Sequence, residues 1–237
     1  NIIVSGIGNN CGKTVIVSGM ASVMQSLGYK TSVYKPVQTG AIDKGKYLMS
    51  PDLAFVKIFD KYIKTHATYM LTSKTIPSLG AAMENVNINI DSIIRDYTAL
   101  AKKSDIVITE LTGGLMTPLN DNLFSLQIPL ILKLPILFVV TPGIDNLNNL
   151  FNEINTAKSI GLEITGIIVN KYPPYSEVPE IKAFPALIEK YCDIKVMGII
   201  RNFKGKSVES NVLFNEILNG IDIEDVFGMK IPKLNNN

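Results

Sequence analysis

Short runs of apolar, largely β-branched residues recur along the chain, and each is followed by a longer stretch in which apolar positions return at helical spacing. The runs predict strands at residues 2–5, 31–34, 106–109, 136–140, 164–169 and 196–200. The stretches between them predict helices at 13–27, 52–62, 91–102, 146–160, 177–191 and 210–218, two of them stopped by Gly28 and Gly161 as left-handed caps. Most of the strands are apolar throughout, as strands covered on both faces must be. Strand and helix in alternation predict an α/β fold, doubly wound, with a mostly parallel sheet and helices on both faces. No internal repeat and no Gly/Ser-rich linker interrupts the pattern, so residues 1–237 read as one domain, with a polar, loose tail from about Lys230.

Composition narrows the function classes. Twenty-three Lys and Arg against 21 Asp and Glu give a net charge of +2, too small for a chain that holds nucleic acid through its phosphates. Cys11 and Cys192 lie too far apart in sequence for a CxxC zinc site, and His66 is the lone histidine. The most apolar run, 128–140, holds Pro129, Lys133 and Pro135 and is too short to span a bilayer as a helix. The first residues already form a strand with no basic segment ahead of them, so the cytoplasm is the expected compartment.

The strongest local signal is Gly6-Ile-Gly-Asn-Asn-Cys-Gly-Lys-Thr14, between the first strand and the first helix. Its end, Gly12-Lys13-Thr14, is that of a P-loop. Backbone N–H groups of Gly8, Asn9, Asn10, Cys11 and Gly12 would cradle phosphate, Lys13 would reach the β- and γ-phosphates, and the Thr14 hydroxyl would ligate Mg2+. The spacing carries one residue more than G-x-x-x-x-G-K-T, and the bland alternative is a glycine-rich turn with an incidental lysine. Lys35, in Tyr34-Lys-Pro-Val-Gln-Thr-Gly40, falls at the carboxyl end of the second strand, where open α/β sheets bind ligands. Glu110 ends the third strand before Gly113-Gly114, and Asp52 follows Pro51 at a helix start. Both are candidate Mg2+ ligands, though a helix-cap role competes for Asp52.

These residues resemble the dethiobiotin synthetases, P-loop ATP-dependent carboxylases of biotin biosynthesis. That family's loop, G-T-D-T-x-V-G-K-T, has the same extra residue, and Gly6 to Thr14 overlays it without a gap. Lys35 to Gly40 resembles K-P-V-x-[ST]-G, and the segment from Glu110 to Leu119 resembles E-G-A-G-G-x-x-x-P-L. The segment from Pro77 to Ala82 is similar to P-x-x-x-A-A, and that from Pro142 to Asn148 to P-G-L-G-T-I-N, while Asn170 stands where the family's V-N meets adenine.

The resemblance implies ATP-driven joining of CO2 to 7,8-diaminononanoate, through a carbamate and a carbamic-phosphoric anhydride that closes to a ureido ring. It implies Lys13 on the γ-phosphate, Lys35 and Thr39 on the carbamate and transferring phosphoryl group, and Thr14, Asp52 and Glu110 on Mg2+. Gly113 and Gly114 would meet the substrate, as would Asn148 from the second subunit of a homodimer. No residue is required as a covalent nucleophile, and Cys11 reads as packing. Three departures stand out: Gly8-Asn9 for Asp-Thr, Asp145 for a glycine, where it either caps the helix or faces the substrate carboxylate, and Ile200-Arg201 for Ile-Pro. They leave open an amidoligase of the cobyrinic acid synthase type, without its glutaminase, since no histidine follows Cys192. A ParA/MinD-like switch would need a lysine early in the loop, where Ile7 and Gly8 stand.

Overall fold

The computed structural model describes residues 1–8, 10–203 and 209–231. Seven parallel strands form one sheet in the order β5-β2-β6-β1-β7-β8-β9. They are β1 (Ile2–Gly6), β2 (Thr31–Gln38), β5 (Lys64–Met70), β6 (Ile106–Glu110), β7 (Ile136–Val140), β8 (Ile164–Tyr172) and β9 (Val196–Arg201). A small antiparallel hairpin, β3 (Ile42–Asp43) with β4 (Leu48–Met49), stands apart from the sheet.

Alternation along the strands divides the core into two layers. On one side Ile2 and Val4 of β1 and Leu137 and Val139 of β7 pack beneath α1 (Lys13–Ser26), α2 (Pro51–Phe59), α9 (Ser210–Gly220) and α10 (Ile223–Phe227). On the other, Ile3, Ile136, Phe138 and Val140 meet α3 (Pro77–Met83), α4 (Ile90–Ala101), α5 (Gln127–Leu132), α6 (Ile144–Ser159) and α8 (Phe184–Cys192). Strands sandwiched in this way can be apolar on both faces, and β1, β6 and β7 are buried along their whole length.

All six expected strands are present, and Gly28 and Gly161 do end α1 and α6 with positive φ. Four differences have physical causes. Strand β5 lies at the sheet's edge, half exposed, so its sequence Lys-Thr-His-Ala-Thr-Tyr-Met carries no apolar run to mark it. The helix expected over 177–191 is broken into α7 (Pro179–Lys182) and α8, where Pro185 in the first turn of α8 starts a new helix and cannot continue the old one. Asp145 is not the cap of α6: Gly143 is, and Asp145 is an exposed residue of the first turn. Ile231 is fully buried, its N–H bonded to Glu224 Oε1 at 2.6 Å, so the chain is still anchored past Lys230. The remainder of the expected loose tail, from 232, lies outside the described residues.

Helix α1 runs tight against α9. A Cβ on Gly19 would stand 2.4 Å from Ile217 Cγ1, in a contact where Ile217 is fully buried. Gly19→Ala removes a flexible residue from a helix interior, which alone would stabilise. Here overpacking outweighs that gain, and the expected outcome is a net loss of about 1–3 kcal/mol in chemical denaturation. Because Ile217→Ala removes the clashing Cγ1, the double variant Gly19→Ala/Ile217→Ala should lose less than the sum of the two single variants.

Candidate active site

The phosphate loop leaves the end of β1 and enters α1 through Gly12, at φ 87° and ψ 31°, with no side-chain cap on the helix. Helix N-termini carry unsatisfied N–H groups and a partial positive charge, a ready seat for phosphate. Only glycine fits at position 12, since a Cβ there would stand 2.2 Å from Asn170 Nδ2. Asn170, at the end of β8, is 3% exposed and donates from Nδ2 to Cys11 O at 2.8 Å. The residue expected against adenine thus braces the loop. Cys11 is buried among the apolar residues under α1, in keeping with packing.

Beside the loop, three strand and helix ends converge on a cavity of about 610 Å3 lined by residues 10–15, Lys35, Thr39, Asp52, Glu110 and Gly113, among others. Lys35 is 3% exposed, and its Nζ stands 2.7 Å from Asp52 Oδ2 and 2.7 Å from Glu110 Oε1. Thr14 Oγ1 donates to the same Glu110 oxygen at 2.9 Å. Burial disfavours the Lys35 ammonium, but attraction to Glu110 and Asp52, with hydrogen bonds to both, outweighs it and holds its pKa above the ordinary lysine value. Lys35 is therefore charged at neutral pH.

Asp52 owes its place to a side-chain relay rather than to capping. The cap of α2 is Ser50, whose Oγ accepts from Leu53 N and donates to Gln38 Oε1 at 2.5 Å. That bond ties the start of α2 to the end of β2, so Asp52 faces Lys35 across a fixed gap.

The donors suit a hard cation. Glu110 Oε2 is buried with no hydrogen-bond partner among the described residues, an expensive state for a carboxylate oxygen. With Thr14 Oγ1 and Asp52 it makes a set of hard oxygens beside a phosphate seat, which fits Mg2+. Among the described residues no group of three or more His, Cys, Asp and Glu side chains could hold a metal.

The structure thus brings Lys13, Thr14, Lys35, Thr39, Asp52, Glu110 and Gly113 to one cavity. Gly8, Gly114, Asn148 and Asn170 are not in its lining, Asn148 being exposed on α6, and Asn9 lies outside the described residues. Val15, Gln38, Thr112 and Lys171 line it unforeseen. Glu153 of α6 was also missed: Leu115 N donates to its Oε2 at 2.8 Å, and its Oε1 would stand 2.3 Å from a Cβ on Gly114, so the carboxylate pins the glycine-rich turn after β6. Its neighbours on α6 are Asn and Ile, so no motif marks it.

A phosphate seat between β1 and α1, with acidic and basic groups gathered at the carboxyl ends of a parallel sheet, defines a P-loop nucleotide-binding protein. Residues 1–207 match the family described as AAA domain. The ATP-dependent dethiobiotin synthetase of Caldicellulosiruptor saccharolyticus is 31% identical over 204 residues, which cover 83% of each chain. The synthetase of the same name from Fusobacterium nucleatum is 28% identical over 201 residues, 82% of this chain and 91% of that one. The chain belongs to the ATP-dependent dethiobiotin synthetase family. Among solved structures it is similar to the MinC:MinD cell division complex of Aquifex aeolicus, with TM-score 0.57 and 14% identity over 98% of this chain and 96% of that one. It is also similar to a ParA family ATPase of Chlorobium tepidum, with TM-score 0.56 and 14% identity over 97% and 93%. At such identities the likeness concerns the fold alone.

Burial raises the Glu153 carboxyl above its ordinary pKa, and the Leu115 N–H bond and the Lys13 charge offset this only in part. The folded state therefore keeps this proton to higher pH than the unfolded chain does, and stability is lost as pH rises from the unfolded carboxylate range through the folded value. Glu153→Gln keeps an acceptor for Leu115 N–H without the charge. The variant's stability relative to the parent should improve with rising pH over that window and then level off, read as denaturation midpoints at a series of pH values. A relative stability that falls with pH would mean the charge itself stabilises the fold.

Proposed function

We propose that the protein forms dethiobiotin from 7,8-diaminononanoate, CO2 and ATP. The observation that carries this reading is the buried Lys35, held charged between Asp52 and Glu110 and lining the same cavity as Lys13, in a chain of the dethiobiotin synthetase family. Attack of a carbamate oxygen on the γ-phosphate joins two anions, so fixed cations must face both.

The first amine adds to CO2, losing a proton, to give the carbamate. One carbamate oxygen displaces ADP from the γ-phosphorus and forms the carbamic-phosphoric anhydride. The second amine attacks the carbonyl carbon, phosphate leaves, and the ring closes with loss of a proton. In this sequence the amides of Gly8, Asn9, Asn10, Cys11 and Gly12 cradle the phosphates and Lys13 holds the γ-phosphate. Lys35 sits against the carbamate and the transferring group, and the Thr39 hydroxyl hydrogen-bonds beside them. Lys35 is pre-oriented by its two carboxylates, so its charge is in place before the reaction begins. Mg2+, held by Thr14, Asp52 and Glu110, would supply charge neutralisation on the β- and γ-phosphate oxygens.

The substrate would be completed by Gly113 and Gly114 and by Asn148 of a second copy in a homodimer. The exposure of Asn148 and of the neighbouring Ile144, which is 60% exposed, supports a role across an interface. The reading takes the cytoplasm as its compartment. Among the described residues no helix is long and apolar enough to cross a membrane.

The test is phosphate release from Mg·ATP with and without 7,8-diaminononanoate and bicarbonate, with dethiobiotin identified by mass. Release that requires both, with product formed, is expected; ATP cleavage indifferent to both would end this reading. Lys13→Ala and Lys35→Ala should each lower turnover by about a hundredfold or more. Only Lys13→Ala should also weaken nucleotide binding. Full activity in Lys35→Ala would remove its assigned role.

A further inference from the structure

Successive side chains of a strand point to opposite faces of the sheet, so Asn170 and Lys171 at the end of β8 should diverge. They do not. Lys171 has φ 55°, a left-handed conformation that a lysine rarely adopts, and the register of β8 against β9 slips between Val169 and Tyr172. This kink swings Lys171 to the side of Asn170, and both side chains end on the phosphate loop. Asn170 Nδ2 donates to Cys11 O at 2.8 Å, and Lys171 Nζ donates to Asn10 O at 2.5 Å. The Lys171 stem passes over Gly12, its Cε 3.8 Å from where a Cβ of that residue would stand.

Three lysines thus line the cavity: Lys13, Lys35 and Lys171. Lys35 spends its charge on Asp52 and Glu110. Lys171, exposed at the rim of the phosphate seat, is held by a neutral carbonyl, which takes one of its three N–H donors, and it has no ion pair among the described residues. A left-handed kink that brings a cation to that rim points to an anionic ligand there.

We propose that Lys171 is a nucleotide-binding residue, whose ammonium, steadied on the Asn10 carbonyl, contacts the phosphate chain of the bound nucleoside triphosphate from the β8 side of the loop. The proposal rests on the nucleotide reading of this cavity. It gives the cavity a further cation beside Lys13, set by the sheet rather than by the loop's own sequence.

The test is titration of the whole protein with Mg·ATP and with Mg·ADP, comparing Lys171→Ala, Lys171→Gln and Lys171→Arg with the parent at low and raised salt. Thermal melting of each variant reports folding. Lys171→Ala should weaken both nucleotides about tenfold, the scale of one charge-assisted hydrogen bond, with a smaller deficit as salt rises. Lys171→Arg should restore most of the affinity. Lys171→Gln, which can still donate to Asn10 O but carries no charge, should remain as weak as the alanine variant. Parent-like affinity in the glutamine variant would reduce Lys171 to a neutral latch and overturn the proposal, as would unchanged affinity in the alanine variant. A parent protein that binds neither nucleotide would instead overturn the nucleotide reading on which the proposal stands.

Discussion

Everything at the site depends on one buried cation between two carboxylates. Lys35 is nearly inaccessible, yet charged, because Asp52 and Glu110 each stand 2.7 Å from its Nζ. Removing Lys35 would leave the buried Glu110 carboxylate facing Asp52 with no cation between them, at a cost of about 3–5 kcal/mol, whereas loss of either carboxylate leaves Lys35 paired with the other. The three groups come from within the second half of β2, the end of β6 and the start of α2, so this ion cluster fixes how those elements meet. The Thr14 bond to Glu110 then ties the phosphate loop to the same cluster. A single electrostatic knot thereby joins the seat for phosphate to the groups that would act on it.

Around this knot the rigid elements, not the loops, carry the supporting contacts. Glutamate 153 reaches from α6 to hold the turn after β6, and Asn146 of the same helix donates to the Thr141 carbonyl and hydroxyl at the end of β7. From β8, Asn170 and Lys171 hold two consecutive carbonyls of the phosphate loop. Side chains locked by a sheet lose little freedom when a ligand arrives, and preorganisation of this kind is what a reaction between anions demands. The cost is local: a left-handed lysine, a half-buried glutamate with a raised pKa and an oxygen on Glu110 without a partner among the described residues. Lys171 and Glu110 line the cavity and Glu153 holds the turn next to it, as stored strain at functional sites commonly does.

Relatives and neighbours speak to different levels. Kinship with dethiobiotin synthetases extends over some four-fifths of the chain, whereas the likeness to MinD and ParA proteins is one of fold at 14% identity. A parallel sheet with a phosphate loop at its centre hosts many reactions, so the reaction must be argued from the groups at its rim. Here those groups are Lys35 with its two carboxylates and the glycine turn pinned by Glu153.

The sequence by itself determined the fold class, the phosphate loop and most of the cavity. Fully buried parallel strands must be apolar along their length, and a loop that hugs phosphate must spend its residues on glycine, lysine and a hydroxyl, so both leave local marks. Edge strand β5 left none, because half its surface meets water and its composition is mixed. Nor could local pattern show that Ser50, rather than Asp52, caps α2, or that Asn170 turns to the loop backbone. Glu153 and Lys171 were invisible for the same reason: their neighbours in sequence are ordinary, and their partners, Leu115 and Asn10, lie far away along the chain. Local chemistry is written in consecutive residues, but which side chains share a charge or a carbonyl is decided only when the sheet brings distant strand ends together.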